Sequence, residues 1–550
     1  MMPTLVLDAF SGEIPRLKPH FLPDGAAQVA INCDFTSGDL RPLSGLGAVW
    51  NAHSSAQPVR SLFTDNGLRF FAWDVPTRAM LAPTIDDTAR RVYYQSHGLG
   101  IRMAQTDSML LSSQEPRAPT QSWAAGVKAP VSAPTLTLVG TSTGTNIETR
   151  AYKAVAINIW GEISAGSPPA IIEVPEGQDV QIDINHTADA DQVPLQGLIF
   201  YRTYESNSTV GYLLIDENAT TSVALPAYTY TDTTTSPQTS TALVSDTWEP
   251  APVGAGNMSY AGNGSLCASI GKDLVFTEPY KPHAWAYRMT FPHGIVGVLE
   301  MDGALLVTTQ KQSYLVSGAH PSQMSQTPLA VNQAGWSDTA LADIDGSGVY
   351  AGNDGLVSVY GGQPNMDSTR ELFRRKDWRN AYGGSRLNLR LKHHDGLVLG
   401  LVDPSYPVAA TESPFLINLD ASPRYYTRIN AGESLYSASV SGTTDQLLIG
   451  TATGAGEFGK GSAMSMTWHS KEYRYPAPVS FSAGEIDCEG ALTVEFIADG
   501  VTVQTIAASG FTEFRFDDHN PAWKWSVRVT GTGSLTKIAV GPSFDALKGA

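Results

Sequence analysis

The sequence predicts an all-β fold: a β-propeller with an inserted β-sandwich of immunoglobulin or fibronectin type III kind, preceded by a turn, a short helix and a hairpin. Three observations lead to this prediction. Only 16% of the 550 residues are charged, whereas glycine (51) and proline (34) are abundant, which favours short strands and tight turns. Turn-plus-strand units recur along the chain. Alternating strands without a cysteine pair fill one segment of about a hundred residues.

The N-terminal segment, residues 1–50, is predicted to act as a clamp. A turn at Pro23 and Asp24 leads into a helix over AAQVAIN (26–32), which Asp24 can cap, and CDFTSGDLRPL (33–43) forms a hairpin. We expect removal of residues 1–43 to leave a folded chain that assembles poorly. The candidate residues for contact with a neighbouring subunit or an adaptor are Pro23, Asp24, Ala27, Ile31 and Leu40.

Four further segments follow the clamp. Residues 51–125 are predicted to supply the first propeller strands, and residues 126–250, with TRAYKAVAINIWGEISAGSPP and LIFYRTY, the inserted sandwich. Residues 251–464 contain units such as GKDLVFTE, DGALLVTT and DGLVLGLVD at the spacing of propeller blades. Residues 465–550 are expected to close the propeller or to form a small sandwich. The number of blades is not predictable.

The composition limits the partners and the location of the protein. A formal net charge of −17 disfavours stable nucleic-acid binding, although a repelling surface would suit DNA that has to pass without sticking. The first residues, MMPTLVLDAF, lack the pattern of a secretory leader, and no apolar run is long enough for a membrane span. The three cysteines, Cys33, Cys267 and Cys488, are predicted to be buried free thiols.

One stretch, DIDGSGVYAGND (343–354), is a weak candidate for a calcium loop. Its oxygen donors at loop positions are Asp343, Asp345, Ser347, the carbonyl of Val349 and Asp354. The last ligand is aspartate instead of the longer glutamate, and no helices are predicted on either side. A solvated turn is the alternative interpretation.

Other motifs lack the structural context that their chemistry requires. GTSTG (140–144) matches a nucleophile elbow but is predicted to lie between strands. GAGEFG (454–459) matches a phosphate-binding glycine loop, but no helix is predicted after it, so we interpret it as a flexible turn between blade strands. The adjacent His393 and His394 would point to opposite faces of a strand. We therefore expect no catalytic residue, cofactor or firm metal site.

Several segments of the sequence, taken in their order along the chain, resemble those of a known protein family. The pieces are LPDGAAQVAINCDFTSGDLRPL, the sandwich stretches above, VFTEPYKPHAWAYRM, GIVGVLEMDGALLVTTQKQSYLVSG, YAGNDGLVSV, ELFRRKDW, MTWHSKEYRYP and IAVGPSFDALK. Over nearly the whole chain this order resembles the tail nozzle, or tail tubular protein B-like, family of short-tailed bacteriophages.

The resemblance implies a homohexamer below a ring of portal adaptor subunits, near tail fibre or spike proteins, in the virion after assembly in the host cytoplasm. Its channel would conduct double-stranded DNA transiently, and residues 21–43 would lock the chain start onto the propeller or a neighbouring subunit. One alternative is a receptor- or glycan-binding adhesin that uses Trp160 and Tyr204, although Trp160 is better interpreted as the core tryptophan of the sandwich. The other alternative is a propeller glycan hydrolase with paired carboxylates.

Overall fold

The computed structural model describes residues 3–48, 57–65, 68–84, 86–96, 98–111, 118–206, 209–215, 227–236, 241–360, 363–365, 369–404, 413–422 and 424–548. Strands dominate these residues, which confirms the all-β fold class. Within the described ranges, no helix is both long and apolar enough to cross a membrane. Single-turn 3-10 helices occur at Pro19–Phe21, Thr106–Ser108, Pro321–Gln323 and Gly383–Ser385.

The N-terminal segment contains strands instead of the predicted helix. They are β1 (Leu5–Leu7), β2 (Ala27–Ile31), β3 (Cys33–Asp34), β4 (Arg41–Pro42) and β5 (Ser44–Ala48). The helix over 26–32 is therefore wrong, and Asp24 caps nothing helical. A β-bulge between Ala27 and Val29 shifts the alternation of β2, so that Ala27 and Ala30 both face the core. The bulge thus gives a strand the three-residue spacing of a helix, whereas the hairpin of β3 and β4 is confirmed.

Residues 61–124 form two propeller blades. Their strands are β6 (Ser61–Thr64), β7 (Arg69–Trp73), β8 (Thr77–Leu81), β9 (Arg91–Ser96), β10 (Gly100–Gln105), β11 (Leu110–Leu111) and β12 (Trp123–Ala124). The first blade contains β6, β7 and β11, and the second contains β8, β9, β10 and β12. Neighbouring strands of both sheets are antiparallel, and the chain adds the outer strands β11 and β12 only after it has formed β10.

Two facing sheets lie between the second blade and the next one. Their strands are β13 (Thr135–Val139), β14 (Ile147–Asn158), β15 (Ile163–Gly166), β16 (Ala170–Pro175), β17 (Asp179–Asn185), β18 (Leu195–Ser206), β19 (Thr209–Leu214) and β20 (Ala227–Asp232). One sheet has the order β13-β17-β20, and the other has β15-β14-β18-β19 with β16 beside β14. Tyr152 and Phe200 pack against Ile182 and Tyr228 across the two sheets. We call this the inserted unit.

Residues 256–463 form five more blades. The strands are β21 (Gly256–Tyr260), β22 (Leu266–Ile270), β23 (Asp273–Glu278), β24 (Lys281–Thr290), β25 (Ile295–Met301), β26 (Ala304–Thr309), β27 (Ser313–Ser317), β28 (Ser325–Pro328), β29 (Leu341–Ile344), β30 (Ser347–Gly352), β31 (Gly355–Tyr360), β32 (Gln363–Asn365), β33 (Leu389–His394), β34 (Leu397–Val402), β35 (Phe415–Asn418), β36 (Tyr425–Arg428), β37 (Leu435–Val440), β38 (Leu447–Thr451) and β39 (Ala455–Ala463). In chain order, the third to sixth blades are β21–β24, β25–β28, β29–β32 and β33–β36, and the seventh begins with β37–β39. Helix α1 (Arg375–Tyr382) lies between the fifth and sixth blades.

The seven sheets form a closed ring in the part of the chain that the structure describes. The first strands of successive blades, β6, β8, β21, β25, β29, β33 and β37, contact one another in turn, and β37 contacts β6. The last blade is completed by β5, which pairs with β39. The N-terminal segment therefore supplies the outer strand of the seventh blade and closes the propeller.

The C-terminal residues build a second pair of sheets. Their elements are β40 (Met466–Ser470), β41 (Tyr473–Val479), β42 (Ala483–Glu489), β43 (Leu492–Ala498), β44 (Val501–Ala508), β45 (Thr512–Arg515), β46 (Ala522–Gly531), β47 (Ser534–Gly541) and helix α2 (Phe544–Leu547). Strand β1 pairs with β47, and β2 joins β36 of the sixth blade to β40. Trp468, Trp525 and Ile538 share one core. These strands do not close the propeller, and one of their two sheets continues the sheet of the sixth blade through β2.

A buried polar cluster joins the inserted unit to two blades. Glu162, in the turn after β14, forms an ion pair with Arg91 of β9, and its carboxylate lies 3.5 Å from Nδ1 of His283 in β24. Asn158 donates its amide to Glu162 at 2.7 Å. All four side chains are buried. A charged cluster of this kind fixes the position of the unit because neither charge has access to water.

Trp160 belongs to this junction and not to the core of the inserted unit. It is half-buried, packs edge-to-face against Trp123 at 5.4 Å, and lies 5.9 Å from the guanidinium of Arg91. The interpretation of Trp160 as a sandwich core tryptophan is therefore wrong. Its sequence position next to the tight turn at Gly161 places it at the end of the unit that meets the propeller.

Candidate functional site in the central cavity

The second to sixth blades line a cavity of about 1160 Å³. The lining comes from the segments that lead into β8, β21, β29 and β33, and from hairpin turns of neighbouring blades. Amide and hydroxyl side chains such as Asn257, Gln310 and Ser337 alternate there with arginines. A concave polar cavity at the axis of a propeller is a candidate site because converging side chains can contact one ligand from several directions.

Arg78 forms hydrogen bonds to backbone carbonyls of three blades besides its own. It extends from β8, and its Nη1 donates to the carbonyl of Val298 at 2.7 Å and of Met258 at 3.4 Å. Its Nη2 donates to the carbonyl of Asp338. These carbonyls belong to the third, fourth and fifth blades or to the segment that enters them. The guanidinium therefore satisfies backbone acceptors of the ring and has little capacity left for a ligand.

Two arginines share one buried aspartate at the edge of the cavity. Asp403 Oδ2 lies 3.2 Å from Nε of Arg60 and 3.5 Å from Nη2 of Arg390. Arg390 also donates Nη1 to the carbonyl of Arg60 at 2.7 Å. Burial lowers the pKa of Arg390, while Asp403 opposes this shift. The cluster carries an excess of positive charge and links the first blade to the sixth.

The inner strands of the fourth, fifth and sixth blades also carry the charged side chains Glu300, Asp343 and Lys392. Burial raises the pKa of Glu300, and nearby Asp343 raises it further. Burial also lowers the pKa of Lys392, which Asp343 opposes. Asp343 accepts from the backbone N–H of Gly346 at 3.0 Å, and Glu300 accepts from that of Gly262. Both carboxylates therefore stabilise turns, which supports a structural role for them.

The calcium-loop candidate is two separate turns. Ile344 pairs with Ser347 around a tight turn at Asp345, while Val349 is buried inside strand β30. Asp354 lies beyond the far end of β30, where it pairs with Arg375. Six strand residues span roughly 20 Å, so these oxygens cannot surround one ion. Within the described residues, no group of three His, Cys, Asp or Glu side chains could hold a metal.

The five interface candidates lie in different environments. Pro23 and Asp24 are exposed, and Asp24 pairs with Lys471 at 3.0 Å. Ile31 is half-buried, whereas Ala27 and Leu40 are buried in a core of this chain. The side chains of Ala27 and Leu40 therefore contact the chain's own C-terminal unit.

The remaining motifs are structural in this fold. GTSTG lies in the exposed connection between β13 and β14, as its context predicts. GAGEFG is not a flexible turn, because most of it belongs to β39; a Cβ on Gly456 would lie 2.8 Å from the carbonyl of Gly47 in the closing strand. All three cysteines are buried and free, which confirms that prediction. The pairing of Tyr204 with Gly211 is described, but its side chain lies outside the described part.

The cavity arginines were missed by sequence reasoning, although a signal for one of them, Arg390, exists. Strand β33 reads LRLKHH, so Arg390 and Lys392 share a face by simple alternation while the leucines face the other side. His393 is nearly buried and His394 is more exposed, as expected for opposite faces.

No family model and no curated protein matches the sequence. Among solved structures, this chain is similar to PorZ, a surface component of the type-IX secretion system of Porphyromonas gingivalis, with 12% identity over 78% of this chain and 70% of that chain (TM-score 0.27). It is also similar to Sqt1 of Saccharomyces cerevisiae, with 6% identity over 75% and 99% (TM-score 0.27), and to YCF48 of Cyanidioschyzon merolae, with 9% over 70% and 97% (TM-score 0.26). The propeller assignment rests on the closed ring of sheets.

Proposed function

We propose that this chain is a structural subunit of the tail nozzle of a short-tailed bacteriophage, one copy in a hexameric ring around the path of the genome. The observation that carries the proposal is the course of the first 48 residues. Strands β1 and β2 enter the two sheets of the C-terminal unit, and β5 completes the last blade. This interweaving makes one continuous body, as a part that withstands the pressure of packaged DNA requires.

Other features support the same assignment. The inserted unit has the size and the two-sheet construction of an immunoglobulin or fibronectin type III sandwich. The arginines of the central cavity mainly bind backbone carbonyls and a buried aspartate of the chain itself. The net charge of −17 suits a conduit that repels DNA. Adaptor subunits and tail fibre or spike proteins would contact such a ring, and the virion would be its location.

Negative-stain electron microscopy of the purified chain, alone and mixed with tail-less capsids, tests the proposal. Six-fold rings that occupy one capsid vertex are the expected result. Chains that stay single and bind no vertex would contradict it and would favour an adhesin, for which a glycan array is the next measurement.

A further inference from the structure

Three exposed aliphatic side chains lie at the open side of the central cavity. The cavity opens where the first strands of the blades begin and where hairpins join second strands to third strands. Leu387 lines it, and Leu99 and Val253 are direct neighbours of glycines that line it. Leu99, Val253 and Leu387 are 66%, 97% and 73% exposed. We call them the apolar rim; exposed apolar side chains grouped around a cavity are typical of a surface that binds a partner.

Inside the rim, polar side chains have hydrogen-bonding capacity that the chain itself does not use. The side-chain amides of Gln310 and Asn388 form no hydrogen bond within the part of the chain that the structure describes. Asn257 uses its Nδ2, which donates to Oγ of Ser269 at 2.7 Å, and leaves its Oδ1 without a donor from those residues. A side-chain amide offers both donors and an acceptor, so it can pair with the N–H and the C=O of an extended peptide.

Arg386 differs from the other arginines of the cavity because it forms no ion pair and no hydrogen bond with the described residues. Arg78 is held by backbone carbonyls, and Arg390 by Asp403. Burial lowers the pKa of Arg390, and the charges of Asp403 and Asp338 oppose that shift. Three arginines and two aspartates line the cavity, so its charge is positive in a chain whose net charge is −17. The exposed guanidinium of Arg386 can bind a carboxylate through two parallel hydrogen bonds.

Glycines leave room in the wall of the cavity. A Cβ added to Gly98, Gly254 or Gly256 would meet no atom within 4 Å, so the wall is bare backbone at these places. The volume of about 1160 Å³ exceeds the roughly 300 to 1,000 Å³ that are typical of sites for drug-sized ligands. The space therefore suits a segment of several residues better than a single small molecule.

We propose that the central cavity binds an extended acidic segment of another protein. A carboxylate of that segment pairs with Arg386, its backbone amides pair with Gln310 and Asn388, and its aliphatic side chains pack on the apolar rim. An acidic sugar fits less well, because Trp336, the one aromatic residue among the described lining residues, is only 6% exposed and offers no free face for a sugar ring. The inference goes beyond the nozzle function and does not depend on it, because residues of a single chain line the cavity.

Selection from a library of random displayed peptides, with the purified full-length chain as the target, tests the inference. The wild type should enrich peptides in which Asp or Glu stands beside Leu, Ile or Val, whereas R386E should enrich Lys or Arg at the same place. In fluorescence anisotropy, a peptide selected by the wild type should bind R386E about tenfold more weakly or worse. Q310A/N388A, which keeps the charge, should weaken binding less and preserve the preference for acidic peptides.

A second pair of variants tests whether the cavity itself is the site. Gly256→Phe should fill the cavity and abolish peptide binding, since its Cβ enters open space and its φ lies outside the left-handed region. Gly442→Phe is the matched control, because its Cβ is equally free and its φ equally ordinary, but it does not line the cavity. Far-UV circular dichroism and the unfolding temperature establish that the variants are folded.

The opposing outcomes are distinct. Enrichment of no peptide, or of basic peptides by the wild type, would overturn the inference. Acidic peptides that bind R386E and G256F as tightly as the wild type would overturn it too, because they would occupy another surface. Binding of acidic oligosaccharides on a glycan array, without any peptide, would identify a sugar as the ligand. None of these results would affect the proposed nozzle function, and a chain that forms no rings could still bind the peptide.

Discussion

Glu162 of the inserted unit and Arg91 of the second blade form an ion pair in which neither side chain is more than a tenth exposed. Arg91 also pairs with Asp87 at 3.0 Å. Burial raises the pKa of Glu162, and Arg91 opposes that shift. The pair is the charged centre of the junction, so the orientation of the inserted unit depends on it.

We expect Glu162→Gln to lower the free energy of unfolding by about 3 kcal/mol, because the buried guanidinium of Arg91 loses the negative charge of its partner. Urea unfolding followed by tryptophan fluorescence measures the change. Glu148→Gln is the control, since Glu148 pairs with Arg150 but is 53% exposed, and should cost less than about 1 kcal/mol. Equal losses in the two variants would refute a special role for the junction.

Stability should fall on acidification because of His283. Burial, together with Arg91 and Lys281, lowers its pKa to about 3, from an ordinary value of 6.5. The unfolded chain therefore binds a proton below pH 6.5 that the folded chain does not bind until about pH 3. This group contributes its full stability above pH 6.5 and loses about 1.4 kcal/mol per pH unit below it.

His283→Gln should reduce the difference in unfolding free energy between pH 7.5 and pH 5. Some dependence should remain, because burial and Arg528 lower the pKa of His469 to about 4 with the same sign. An unchanged pH dependence in the variant would show that His283 does not titrate in this way.

Arg78→Met should destabilise the propeller by about 2 to 4 kcal/mol. The methionine fills much of the space, but carbonyls of three other blades lose their donor. Thermal unfolding by circular dichroism gives the comparison. Arg288→Met removes a 55% exposed arginine that pairs with Asp273 and should change little. If both variants melt alike, the guanidinium does not hold the blades together.

Removal of residues 1–43 should prevent folding, contrary to what the sequence alone suggests. The deletion takes away β2 from between β36 and β40, and β1 from β47, so the C-terminal core is opened on both sheets. We expect an insoluble chain without a cooperative unfolding transition. A truncated protein with normal circular dichroism and only an assembly defect would restore the simpler clamp interpretation.

The three thiols should be unreactive in the folded protein. Burial raises the pKa of Cys33, Cys267 and Cys488, and this suppresses the reactive thiolate. Ellman's reagent should modify them only after denaturation. Ser37→Cys, in the exposed turn of the hairpin, should react at once. Rapid modification of the wild type would indicate that one of the cores opens readily.

Local signals predict much of this fold because neighbouring residues set a hairpin. The turns at Asp345–Gly346 and Asp395–Gly396 lie where the motifs place them, with both aspartates at positive φ. Strand β2 was misread because its bulge puts Ala27 and Ala30 on one side. The alternation of a strand specifies a buried face and not the pairing partner, so the contacts of β5 with β39 could not be predicted.

The site was less predictable than the fold. Sequence alternation places Arg390 and Lys392 on one face of β33, but only the closed ring brings Arg60 and Asp403 to the same place. Trp160 shows the same limit, since its partners Trp123 and Arg91 come from the preceding blade.

Because β2 lies between β36 and β40, it cannot complete its pairing until late in the synthesis of the chain. More than 400 residues separate Ile31 from Met466, and at ~5–20 residues per second a ribosome needs roughly 20 to 90 s to cover that distance. Until β36 has been made, the nascent chain carries a strand that lacks both of these partners, and until β40 has been made it has a partner on one side only. Slower translation of the blades should therefore increase aggregation of nascent chains, and a chaperone that shields extended segments should counteract it.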